Sequence, residues 1–268
     1  MPEAMSPTDV DALRRAIRYL ERPSLAARLT SMVGKPVDLV GKALPESTSQ
    51  AIARATTKSL QVALKIALTT IRNEPQESSI LLHKALAVAS GATGGAFGLF
   101  SLPIEVPIST IVMLRSILDI SRSEGENLRD PEAVLSCIEV FGLGGRTEAD
   151  DTADIGYFVV RGILARSVAE AARFIAERGV LEEGAPVLVR LIAQIAARFG
   201  VVVTQKAAAQ AIPVIGALGG AAVNYAFIEH FQTVARGHFT VRRLERSYGQ
   251  ELVRTTYRRL FEEAKTQI

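Results

Sequence analysis

The chain has 268 residues, of which 48% are hydrophobic, 22% charged and 6% aromatic, with a mean hydropathy of +0.21. This composition excludes a disordered chain, a collagen-like repeat and a small disulfide-stapled protein. The single cysteine, Cys137, excludes an intramolecular disulfide and fits a reducing compartment such as the cytoplasm. The net charge of +3 comes from scattered arginines and not from a basic stripe, so we expect no nucleic-acid partner.

Apolar residues recur at helical spacing along nearly the whole chain. The first helix is expected to begin with Thr8 as its N-cap, and Asp130-Pro131 is expected to begin another that Gly142 closes. The valine cluster at 201–203 lacks a flanking hairpin signal and is not expected to be a strand. The sequence therefore predicts an all-α fold, with one compact multi-helix domain over residues 1–268. The expected helices after the first cover 49–72, 103–122, 131–141, 151–177, 185–209, 213–236 and 240–266, the last broken at Gly249.

The N-terminal segment, residues 1–22, reads as a basic amphipathic helix. Its acidic residues stand where a secretory signal would be apolar, so no signal peptide is expected. Such a helix can lie on an anionic membrane, or it can dock its apolar side on the protein's own core. The candidate membrane-contact residues are Arg14, Arg15, Arg18 and Arg22.

Two uncharged stretches, 85–104 and 207–228, are long enough to span a bilayer. Their glycines and prolines favour two closely packed central helices instead, although entry into a bilayer stays open. The glycines expected at helix–helix contacts are Gly91, Gly94, Gly95, Gly98, Gly216 and Gly220.

Two long blocks of the sequence resemble one known family. These are GAFGLFSLPIEVP with MLRSILDISRSEG and LSCIEVFGLG, and then IPVIGALGGAAVNYAFIEHFQTVARGHFTVRRLERSYG. They resemble the EcsC family, most strongly over residues 78–260. The family takes its name from a bacterial operon that also encodes an ABC transporter linked to protein secretion. The resemblance implies a membrane context and no particular reaction.

Glu105 is the most informative carboxylate, because it stands between two prolines at a predicted helix start. It is expected to complement the helix dipole and to pair with an arginine, or alternatively to act as a general base or metal ligand. The expected buried polar cluster consists of Glu105, Arg115, Asn224, Arg242 and Arg243.

Metal-binding, hydrolase and nucleotide-binding motifs are absent from the sequence, and we expect neither a metal nor a cofactor. Two functional hypotheses from different classes remain. The first is a non-catalytic helical protein at the cytoplasmic face of the membrane, which binds lipid or a partner linked to an ABC transporter. The second is a hydrolase, such as a peptidase, that uses Glu105 with His230 or His238, which requires these side chains to converge in a cleft.

Overall fold

A computed structural model describes residues 5–72, 102–145, 156–178, 185–212 and 216–266. These residues form ten α-helices and no strand, which confirms the all-α fold. The helices are α1 (Pro7–Leu20), α2 (Leu25–Val33), α3 (Val37–Lys42), α4 (Glu46–Arg72), α5 (Leu102–Ser123), α6 (Pro131–Leu143), α7 (Gly156–Arg178), α8 (Pro186–Gln210), α9 (Gly216–Tyr248) and α10 (Gln250–Thr266).

Helix starts follow local capping chemistry. Asp130 caps α6 as predicted, because its side chain accepts a hydrogen bond of 2.9 Å from the backbone N–H of Glu132. The expected cap of α1 was wrong. Ser6 caps that helix instead of Thr8, and Pro7 occupies the first turn, where a missing N–H costs nothing.

The predicted interruption between residues 236 and 240 was also wrong, since α9 is continuous from Gly216 to Tyr248. Gly237 does not break this helix. A Cβ at that position would lie 2.6 Å from Cγ of Leu20, so the glycine lets α1 approach α9 closely. The predicted break at Gly249 is confirmed, because that residue has a φ of 85°.

Helix α6 lies at the centre of the domain and is buried from Ala133 to Leu143. It packs against α4, α5, α7, α8 and α9. The ring of Phe141 from α6 lies 5.0 Å from that of Phe199 of α8 and 5.5 Å from that of Phe231 of α9. The valines at 201–203 lie inside α8, as the absence of hairpin signals predicted.

Helix α1 docks its apolar side on the protein itself. Leu13, Ala16 and Ile17 are at most 4% exposed, and the helix packs against α9 and α10. This arrangement places that side in the core. Of the two arrangements that the sequence left open for this helix, the structure shows the docked one, and contact of its arginines with a membrane stays a prediction.

Among the described residues, one helix is long and apolar enough by length and composition to cross a membrane. It is α8, whose most apolar window has a mean hydropathy of 1.8 and is 39% buried. Most of the first uncharged stretch, including Gly91, Gly94, Gly95 and Gly98, lies outside the described residues.

Candidate functional site

Lys206 is the centre of a buried polar site in the last turns of α8. Its side chain is 0% exposed, and its Nζ lies 2.5 Å from Oε1 of Glu105, a carboxylate that is 4% exposed. Nζ also donates a hydrogen bond of 2.9 Å to Oδ1 of Asn224 and lies 4.6 Å from the centre of the Phe227 ring. The Nε2 of Gln210 donates to Glu105 at 3.4 Å.

Three helices deliver these groups. Glu105 stands in the first turn of α5, where a carboxylate also complements the helix dipole. Lys206 and Gln210 are four residues apart on α8 and share one face, and Asn224 and Phe227 come from the third and fourth turns of α9. The site therefore joins α5, α8 and α9 at one end of the domain.

Burial lowers the pKa of Lys206, and the neighbouring Glu105 carboxylate counteracts that effect. The ammonium contacts a carboxylate, an amide oxygen and an aromatic face, which are the partners that a buried cation requires. The arrangement is that of a hydrogen-bonded ion pair between helices. It does not present a free nucleophile.

The sequence correctly indicated that Glu105 is buried and ion-paired, but the expected arginine partner was wrong. Arg115 lies ten residues further along α5, about 15 Å away at 1.5 Å per residue. Arg242 lies 18 residues beyond Asn224 on α9, which is about 27 Å.

The two α9 arginines that the sequence offered as partners of Glu105, Arg242 and Arg243, form ion pairs with other carboxylates. Arg242 donates to Glu126 at 2.9 Å, and Arg243 donates to Glu124 at 2.8 Å and to Asp9 at 3.1 Å. Lys206 was not among the predicted site residues, although this cation directly bounds the second uncharged stretch.

The histidines do not join Glu105 in a cleft. His230 is buried, and its Nε2 lies 2.8 Å from the carbonyl oxygen of Gly144. His238 is fully buried inside α9, with its Nδ1 2.9 Å from the hydroxyl of Tyr157. It lies 14 residues beyond Asn224, about 21 Å along the helix. The convergence that the hydrolase hypothesis requires is not found among these three side chains.

A second buried polar cluster surrounds His238. Arg161 donates hydrogen bonds of 2.8 and 2.7 Å to the two carboxylate oxygens of Glu245, and the Nε2 of His238 lies 4.0 Å from Oε2 of Glu139. Burial raises the pKa of Glu139 to about 7 and holds the pKa of His238 well below its ordinary value. His238 is therefore neutral in the folded protein at neutral pH, whereas Glu139 changes its protonation state near pH 7.

No metal site or reactive thiol is found in the part of the chain that the structure describes. It contains no group of three His, Cys, Asp or Glu residues that could hold a metal ion. Burial raises the pKa of the Cys137 thiol to about 12, so the thiol is neutral at physiological pH.

The four arginines of the N-terminal segment, residues 1–22, differ from one another in their surroundings. Arg22 donates to Glu229 at 3.0 Å, and Arg28 of α2 donates to the same carboxylate at 2.8 Å. Burial raises the pKa of Glu229, but these hydrogen bonds outweigh it and hold the pKa at about 2. Arg22 is thus engaged within the fold, whereas Arg15 and Arg18 are exposed. Arg14 is half exposed and contacts Asp11 and Glu263.

The model of the EcsC protein family matches residues 9–244, which is most of the chain and includes every residue of the Lys206 site. The chain belongs to the EcsC protein family. No curated protein and no solved structure matches this EcsC protein. Of the glycines expected to pack, Gly216 begins α9 and Gly220 is buried in it, and their close contact with another helix stays a prediction.

Proposed function

We propose that this EcsC protein binds the surface of an anionic membrane from the cytoplasmic side, through the end of the domain that contains Lys206. The membrane contact in this proposal does not use the apolar side of α1, because that side packs in the core. It keeps the class of function that the sequence favours, a non-catalytic helical protein that acts at a membrane.

The supporting observation is the position of the most exposed large apolar side chains. Leu39, Ile104 and Tyr225 are 64%, 70% and 71% exposed, the highest values among the exposed large apolar residues described. Exposed apolar side chains grouped in one region are typical of surfaces that meet another molecule or a membrane.

Each of these three residues is next in sequence to a residue that is hydrogen-bonded to Gln205 or Lys206. Asp38 accepts from Gln205 at 3.2 Å, while Glu105 and Asn224 both bind Lys206. Three separate helices therefore each place an exposed apolar residue one position away from a residue that contacts Gln205 or Lys206 of α8. We call Leu39, Ile104 and Tyr225 the apolar end.

Exposed cations accompany the apolar end. Lys35 precedes α3, the helix that carries Leu39, and Lys42 is the last residue of that helix; both lysines are exposed. Each cation at an anionic surface adds about 1 kcal/mol, and each large apolar side chain moved out of water adds roughly 1.5–3 kcal/mol. The combination favours shallow insertion of apolar tips with lysines at the phosphate level.

Liposome flotation tests the proposal. The protein is mixed at low salt with vesicles that contain phosphatidylglycerol and is then centrifuged through a density gradient. We expect the wild type to float, and a variant with Leu39→Ser, Ile104→Ser and Tyr225→Ser to stay at the bottom.

The matched control changes Val159 and Ile163 to serine. These residues of α7 are 46% and 55% exposed and do not belong to the apolar end. The control variant should float like the wild type. Wild-type protein that stays at the bottom, or a triple variant that floats as well as the wild type, would refute the proposal.

A further inference from the structure

An open apolar groove runs between α4 and α8 and has a volume of about 390 Å³. Its apolar lining includes Ile52 and Ala53 from α4, and Ile192, Ala193, Ala196 and Gly200 from α8. We propose that this groove holds one acyl chain of an anionic lipid. The inference deepens the proposed membrane function and rests on it for the source of the lipid.

The length and volume of the groove fit a single hydrocarbon chain. Its α8 wall extends from Val189 to Thr204, 15 residues or about 22 Å at 1.5 Å per residue. A volume of about 390 Å³ lies within the range of about 300–1,000 Å³ that is typical of small-ligand pockets. An extended hydrocarbon chain of about 18 carbons, at roughly 1.2 Å per bond, spans the length of the groove.

The charge pattern favours a neutral tail attached to an anionic head group. The groove lining contains no charged side chain. Arg54 and Lys58, which directly follow two lining residues of α4, Ala53 and Thr57, are exposed. A neutral trough beside exposed cations matches the chemistry of an anionic lipid.

The groove also ends where lipid would be supplied. A Cβ on Gly41 of α3 would lie 3.4 Å from Cγ2 of Thr204, so this end of the groove adjoins α3. Helix α3 carries Leu39 of the apolar end and the exposed Lys42. A chain that leaves the bilayer at the apolar end would therefore enter the groove beside Thr204, with its phosphate near Lys42.

Titration with a fluorescently labelled lysophosphatidylglycerol, below its micelle concentration, tests the inference. Removing each methylene from water gives about a fourfold gain in affinity. An extended chain advances roughly 1.2 Å per bond, so the gain should stop near 18 carbons, when the 22 Å groove is full. Affinity that is independent of chain length would overturn the inference.

Two glycine variants give a matched comparison. A Cβ would meet nothing within 4 Å at Gly200 in the groove or at Gly162 on α7, so a side chain can project from the backbone at both positions. Gly200→Leu places a side chain in the groove and should weaken lysolipid binding at least tenfold, while Gly162→Leu should bind like the wild type. Both variants should melt at or above the temperature of the wild type.

The same variants separate this inference from the membrane proposal. Gly200→Leu should still float with phosphatidylglycerol vesicles, because it leaves the apolar end intact. A wild type that floats but does not bind the lysolipid overturns the groove inference alone. A wild type that binds the lysolipid but does not float overturns the membrane proposal alone. A wild-type dimer in light scattering that Gly200→Leu dissociates assigns the groove to a second copy and overturns the inference.

Discussion

The ammonium of Lys206 lies 2.5 Å from a carboxylate oxygen of Glu105, and the two side chains are 0% and 4% exposed. Removing one member of such a pair leaves the other as an unpaired buried charge. Glu105→Gln should therefore lower the free energy of unfolding by about 3–5 kcal/mol, measured by urea denaturation.

A double variant provides the control for that result. Glu105→Leu combined with Lys206→Met removes both charges together and should recover most of the stability, because an apolar pair of similar volume often replaces a buried ion pair without loss. A Glu105→Gln protein as stable as the wild type would show that the carboxylate does not compensate the lysine.

Acid should destabilise the protein through His230. Burial lowers its pKa from 6.5 to about 4. Between pH 6.5 and about pH 4, His230 is protonated in the unfolded chain but stays neutral in the folded protein. Stability therefore falls as the pH drops through this range. The loss from this residue amounts to about 3 kcal/mol at 1.36 kcal/mol per pKa unit. His230→Gln can still donate to Gly144 and should flatten the decline, as followed by urea denaturation between pH 4 and 7.

Glu139 should act in the opposite direction. Burial raises its pKa from 4.5 to about 7, so between these values the folded protein holds a proton that the unfolded chain releases. The contribution of Glu139 to the free energy of unfolding is fully present below pH 4.5 and is lost as the pH rises through 7. Glu139→Gln should make the acid decline steeper and should be more stable than the wild type at pH 8. Parallel pH profiles for the variant and the wild type would contradict this assignment.

Gly237→Ala should destabilise the contact between α1 and α9. The added Cβ would lie 2.6 Å from Cγ of Leu20 and 3.2 Å from the backbone oxygen of Ala16, so the two helices would have to move apart at a cost of about 1–3 kcal/mol. Gly162→Ala is the matched control, because its Cβ meets nothing within 4 Å. It should raise stability by roughly 0.5–1 kcal/mol through helix propensity, and thermal melting of both variants gives the comparison.

Local signals in the sequence were sufficient for the elements that depend on neighbouring residues. Asp130 and Pro131 define the start of α6 because capping and proline geometry act within one turn. The continuity of α9 across Gly237 could not be predicted in this way. That glycine is kept in the helix by its packing against Leu20, which is more than 200 residues away in the chain.

The same distinction between signals from neighbouring residues and contacts with distant ones applies to the candidate site. The position of Glu105 between prolines indicated a buried, paired carboxylate at a helix start. Its partner depends on how α5, α8 and α9 cross, which helical periodicity does not determine. An arginine on α9 was therefore as good a candidate as Lys206 until the crossing was known.

The contact of α1 with α9 has a consequence for synthesis. Asp9 and its partner Arg243 are 234 residues apart in sequence. At about 5–20 residues per second, α1 leaves the ribosome roughly 10–45 s before the helix that covers it. During that interval Leu13 and Ile17 have no native surface to pack against, so the nascent chain presents a basic amphipathic helix to any chaperone or membrane nearby.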